Sequence, residues 1–82
     1  MNVELTKKAK RQLGNLPKSE AKKVARKLFQ LERSPFTGKK LAGKLQTRYS
    51  LKAWPYRIIY VVDKRRKIVQ VEIIEHRQGV YT

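Results

Sequence analysis

The chain contains no cysteine, which excludes disulfides and thiolate metal sites. It contains one histidine, His76, too few for a histidine-built zinc cluster. The six acidic residues are spread along the chain, so no carboxylate cluster is expected to hold a divalent cation. "GKK" and "GKL" lack the pattern of a phosphate-binding P-loop, and no nucleophile stands beside a base and an orienting acid. No apolar run approaches the roughly 20 residues that span a bilayer. "MNVELTKKAK" lacks the apolar core of a secretory signal, so a cytoplasmic location, with neither cofactor nor metal, is expected.

Positive charge is abundant. Twenty-one Lys and Arg against six Asp and Glu give a net charge of +15 on 82 residues. Most surface lysines are simply solvated, but an excess this one-sided repels itself, and a polyanion relieves it. Nucleic acid is the first partner to consider, an acidic protein the second and an anionic membrane surface a distant third. The length suits one domain, residues 1–82, with a modest core that a folded partner could stabilise.

The first half has helical spacing. "NVEL" alternates and fits a short first strand. From Thr6, a fair N-cap, Ala9, Leu13 and Leu16 recur at helical intervals until "GNLP", where Gly14 ends one helix and Pro17 suits the first turn of the next. Ala21, Val24, Ala25, Leu28 and Leu31 then form an apolar stripe among lysines. Pro35 and Gly38 in "RSPFTG" stop that helix. Short connections make the pair an antiparallel helical hairpin.

The second half is rich in β-branched and aromatic residues: "RYSLKA", "YRIIYVVD" and "KIVQVEIIE", separated by "WP" and "KRR". This predicts an antiparallel meander and, for the whole chain, an α+β fold. Its order is β-α-α-β-β-β, with the helical hairpin on one face of a small antiparallel sheet. A turn at Trp54-Pro55 sets Lys52 opposite Arg57 and Leu51 opposite Ile58. A two-residue turn at Lys64-Arg65 would set Glu72 opposite Arg57 and Val71 opposite Ile58. The helix-facing side would then carry Tyr49, Leu51, Ala53, Tyr56, Ile58, Tyr60, Val62, Val69, Val71 and Ile73. The other side would gather Lys52, Arg57, Glu72 and His76, with Ile59 and Ile74 among them.

Arg57 interrupts an otherwise apolar central strand. It either pairs with Glu72 across the strands or presents a rigid cation to a phosphate. Metal-free RNA cleavage fits the available side chains. The substrate supplies the 2′-hydroxyl, and the protein need only orient it, stabilise phosphate charge and manage two protons.

The residues also carry a family resemblance. "LTKKAKRQLGNLPKSEAKKVARKLFQLERSPFTGKKLAGKL" is similar to the helical hairpin and following loop of the RelE/ParE superfamily of type II toxin–antitoxin toxins. "RYSLKAWPYRIIYVVDKRRKIVQVEIIEHRQGVY" is similar to its sheet, and "YRIIY" and "HRQGVY" resemble marks of the RelE-like branch. The resemblance implies a ribosome-dependent mRNA endonuclease (an mRNA interferase) that inhibits translation. Its partners would be an acidic cognate antitoxin and mRNA on the ribosome, with rRNA contacts. It further implies catalytic roles for Lys52, Arg57, Arg77 and Tyr81. The residues themselves add His76, either an acid for the 5′-oxygen or a structural neighbour, and RNA contacts are expected from Arg48, Lys52, Trp54 and Arg57. Ser50 stands where some members carry a second lysine. Arg77 would reach the site only if the chain leaves the strand near His76. The alternatives are a ParE-like inhibitor of DNA gyrase on the same scaffold, or a basic RNA-binding module without catalysis.

Overall fold

The computed structural model describes residues 1–41 and 48–77. The elements run β1 (Asn2–Leu5), α1 (Lys7–Gly14), α2 (Lys18–Arg33), β2 (Lys39–Lys40), β3 (Arg48–Ala53), β4 (Tyr56–Asp63) and β5 (Ile68–His76). The strands form one five-stranded sheet in the order β1-β5-β4-β3-β2. Two helices packed on a sheet is the α+β arrangement expected from the sequence. Two features extend it. β1 pairs in parallel with β5, so the sheet is mixed, and the two-residue β2 adds an antiparallel edge to β3. A two-residue strand is too short to show a periodic pattern, and alternation within "NVEL" gives no strand direction.

The helices form where capping and apolar spacing agree. The Thr6 hydroxyl accepts a hydrogen bond from the Ala9 amide at 3.1 Å, capping α1. Pro17 occupies the N-cap position of α2. Val24, Leu28 and Leu31 form the buried stripe of α2, and Ala9 is the buried residue of α1. They cover Tyr49, Leu51, Ala53, Tyr56, Ile58, Tyr60, Val62, Val69, Val71 and Ile74 of the sheet. Each large aliphatic side chain so buried contributes about 1.5–3 kcal/mol relative to exposure. Strand β4 alternates buried and half-buried residues along its whole length, as a strand with one covered face must. Among the described residues no helix is long and apolar enough to cross a membrane.

Tyr60, fully buried, ties the loop after α2 to the sheet. Its hydroxyl accepts the Gly38 amide hydrogen at 2.9 Å. A Cβ on Gly38 would lie 2.7 Å from that hydroxyl and 3.0 Å from the Ser50 carbonyl oxygen, so a side chain has no room there. Phe36, Tyr49 and Tyr60 continue the packing, with ring centroids 5.8 and 5.3 Å apart.

The β3–β4 register is the expected one: Lys52 faces Arg57 and Leu51 faces Ile58 across the Trp54-Pro55 turn, whose peptide bond is cis. The β4–β5 register is not. Asp63 pairs with Ile68, leaving a four-residue loop in place of a two-residue turn at Lys64-Arg65. A tight hairpin of the favoured type needs two positive-φ residues, and "DKRRK" contains no glycine or asparagine. The longer loop needs one, Lys67 at φ 58°, and the Asp63 carboxylate accepts the Arg66 amide hydrogen at 3.1 Å.

A second shift follows inside β5. Tyr60 pairs with Val71 but Ile59 with Ile73, so Glu72 is the extra residue of a β-bulge. From there the alternation inverts. Ile74, not Ile73, enters the core, 3% exposed. Arg57 faces Glu75 instead of Glu72, and His76 faces Tyr56.

Candidate functional site

The sheet face away from the helices carries Arg48, Ser50 and Lys52 from β3 and Arg57 from β4, none of them buried. A cleft of about 480 Å³ opens there, lined by Thr37, Gly38, Lys39, Leu41, Ser50, Leu51, Lys52, Arg57 and Arg77. The strands hold Lys52 and Arg57 as a directly opposed pair. Lys39 approaches from β2, which pairs it with Ser50. Arg77 follows the last residue of β5, where its amide hydrogen bonds to the Pro55 carbonyl oxygen at 2.9 Å.

The bulge at Glu72 explains how Arg77 reaches the cleft. In an unbroken alternation from Val71, residues 73, 75 and 77 would turn toward the helices. One inserted residue puts Glu75 on the open side, and Arg77, the first residue past the strand, lines the cleft there. β5 also ends at His76, so the chain leaves the strand where the expected role of Arg77 required it to. The same inversion separates His76 from the group expected around Arg57. Its ring packs edge-on against Tyr56, centroids 5.3 Å apart, on the helix-facing side. Ile74, expected among the open-face residues, is in the core.

Two carboxylates sit among these cations. Glu75 Oε2 accepts hydrogen bonds from Arg57 Nη2 at 2.7 Å and Nε at 3.2 Å. Glu72, the bulged residue, is 3.3 Å from Arg48 Nε. The cross-strand acidic partner of Arg57 is thus real, but it is Glu75. Arg77 places its guanidinium 5.2 Å from the centre of the Trp54 ring, a cation–π arrangement that leaves the indole 58% exposed. The Trp54 carbonyl oxygen accepts a hydrogen bond from Lys23 Nζ at 3.1 Å, tying the turn to α2.

Of the expected residues, the structure brings Lys52, Arg57 and Arg77 to one cleft, with Trp54 beside Arg77 and Arg48 further along the same face. His76 is on the other side of the strand, and Tyr81 lies outside the described residues. Lys39 was not anticipated at the cleft, nor was Glu75 as the partner of Arg57. The "GKK" stretch that holds Lys39 has no pattern of its own, whereas Glu75 stands next to His76 and needed only the bulge to be placed correctly.

The comparisons agree with this architecture. Residues 3–81 match the family described as the ParE toxin of the type II toxin–antitoxin system parDE. The toxin–antitoxin complex RelBE2 from Mycobacterium tuberculosis contains a chain 31% identical to this one, with a TM-score of 0.82 over 93% of this chain and 96% of that one. The isolated Escherichia coli RelE toxin superposes with a TM-score of 0.82 at 19% identity, covering 98% of this chain and 87% of that chain. A chain of the archaeal RelE–RelB complex from Pyrococcus horikoshii gives 0.79 at 24% identity, covering 96% and 97%. No curated protein matches the sequence. The chain belongs to the ParE toxin family of type II toxin–antitoxin systems, within the RelE/ParE superfamily.

Proposed function

We propose that the protein is a ribosome-dependent mRNA endonuclease that arrests translation, and that its cleft binds the scissile phosphate. The observation that carries this reading is the convergence of Lys39, Lys52, Arg57 and Arg77 on one opening. In the proposed reaction the RNA 2′-hydroxyl attacks the adjacent phosphorus as its proton leaves. The bond to the 5′-oxygen breaks, and that oxygen takes up a proton. The products are a 2′,3′-cyclic phosphate and a 5′-hydroxyl, and no metal is required. Arg57 and Arg77 stabilise the charge that develops on the phosphate. Lys52 adds a cation beside them, and the Tyr81 hydroxyl orients or deprotonates the 2′-hydroxyl. Trp54 and Arg48 extend the RNA-binding surface, since an exposed indole can stack on a base. His76 supports the end of β5 through its ring contact with Tyr56.

An acidic cognate antitoxin is the proposed protein partner. Its support is the net charge of +15 and the occurrence of similar chains in complexes with antitoxins. The proposed site of action is the cytoplasm, where the ribosome is. The second reading, a gyrase inhibitor, is favoured by the ParE description of the matching family. Induced expression with mapping of mRNA 5′ ends, beside a supercoiling assay, separates the two. New 5′-hydroxyl ends within translated codons support the nuclease, while intact mRNA and blocked supercoiling support the gyrase reading.

A further inference from the structure

A bulge in β5 leaves backbone groups that the strand ladder does not satisfy. β1 cannot supply them, because its pairing with β5 ends at Leu5 and Val71. The helical hairpin does. The Thr6 amide donates to the Val71 carbonyl oxygen at 3.0 Å, and the Thr6 hydroxyl donates to the Glu72 carbonyl oxygen at 3.2 Å. Two residues on, the Ile74 amide donates to the Gln12 side-chain oxygen at 2.8 Å. These bonds bracket the inserted residue from both sides.

We propose that Gln12 and Thr6 are positioning residues for the cleft. By fixing the bulge at Glu72 they select the face that the last residues of β5 present, so that Glu75 lies against Arg57 and Arg77 stands over Trp54. The alternative alternation would turn both charged side chains toward the helices and Ile74 toward solvent. The bulge avoids this at the cost of unpaired backbone groups, and Gln12 and Thr6 supply the missing partners. Gln12 is the informative member. Thr6 also caps α1, so replacing it disturbs the helix as well as the bulge. Among the described residues Gln12 lies on a helix and does not line the cleft, and its side chain bonds to the β5 backbone.

The proposal rests on the cleft being the working site, but its first test does not need nuclease activity. Trp54 is the only tryptophan, so its fluorescence reports the guanidinium above it. Gln12→Met removes the acceptor while keeping a good helix former; Gln12→Glu retains an acceptor oxygen. Measured where every variant is folded, the Trp54 emission of Gln12→Met moves toward that of Arg77→Ala, and Gln12→Glu stays with the parent. In RNA cleavage, Gln12→Met loses about tenfold in kcat, Gln12→Glu recovers most of it, and Gln12→Met/Arg77→Ala is no slower than Arg77→Ala alone. Distant, independent sites would add instead. A Gln12→Met variant with a lowered Tm but parental Trp54 emission overturns the proposal, as do additive losses in the double variant. A parent that cleaves no RNA counts against the nuclease reading and leaves the emission test intact.

Discussion

Arg57 and Glu75 lie directly opposite each other on β4 and β5, and the guanidinium closes on one carboxylate oxygen at 2.7 Å. The cation best placed to receive a phosphate is therefore already engaged with an anion of the same sheet. On the proposed function, RNA binding to this cleft would be an exchange, in which a phosphate oxygen takes the place of Glu75 on Arg57. The carboxylate holds the arginine in place when the cleft is free and competes with substrate when it is not.

Glu75→Gln removes that competing charge. Binding of an RNA made uncleavable by a 2′-deoxy substitution should tighten several-fold. Its salt dependence should steepen by about 0.7 in the slope of log K against log salt, the contribution of one further phosphate contact to a single strand. Titrations at several salt concentrations measure both. An unchanged slope would place Arg57 away from the phosphate path.

The two halves of the basic surface should behave differently. Lys22 is exposed on α2 and is not among the cleft-lining residues, and Lys22→Ala should leave the cleavage rate within about twofold. Lys52 lines the cleft, and Lys52→Ala should slow cleavage at least tenfold. Equal losses from both would show that bulk charge alone governs the activity.

Removing a charge-stabilising donor from a preorganised site costs on the order of 10²–10³ in rate. Arg57→Ala and Arg77→Ala should each show that loss and abolish growth arrest while remaining folded by circular dichroism. Tyr81→Phe keeps the ring and tests the hydroxyl alone; a comparable loss indicates proton handling, a small one stacking. His76→Gln, with its ring against Tyr56 on the opposite side of β5, should cut within a few-fold of the parent and keep the parental pH profile.

Tyr60 gives the fold a defined alkaline weakness. Burial raises the pKa of its hydroxyl above the ordinary 10.0, the hydrogen bond from the Gly38 amide lowers it in part, and Tyr49 raises it further. The unfolded chain thus releases this proton at lower pH than the folded one. Between the two pKa values the folded state binds more protons, so stability falls as pH rises. The Tyr60 contribution is complete below pH 10 and is lost above it. Tyr60→Phe should cost about 1–2 kcal/mol at neutral pH by leaving the Gly38 amide without its acceptor. The gap between variant and parent should narrow above pH 10, as denaturant unfolding at pH 7 to 11 would show.

The helices and the first hairpin were legible because their signals are local. Thr6 and Pro17 mark helix starts, Val24, Leu28 and Leu31 form a stripe, and "WP" between two alternating runs sets one register. The direction of β1 and the presence of β2 were not, since four and two residues carry too little pattern to choose a neighbour. The β5 register failed for a different reason. The bulge is specified by Thr6 and Gln12, 66 and 62 residues away from their partners, and no rule of alternation sees a contact so distant. The four-residue loop and that one insertion together explain why Glu72 was expected where Glu75 stands, and the insertion alone explains why His76 was expected on the open face.

The most direct measurement is cleavage of mRNA on programmed ribosomes by the purified protein, with 5′ ends mapped to the nucleotide, for the parent, Arg57→Ala and Arg77→Ala. The expected result is discrete 5′-hydroxyl ends in translated codons for the parent, at least a hundredfold fewer for either variant, and no effect of the parent on gyrase supercoiling in a parallel reaction. Intact mRNA with the parent, or equal cutting by all three proteins, would contradict it.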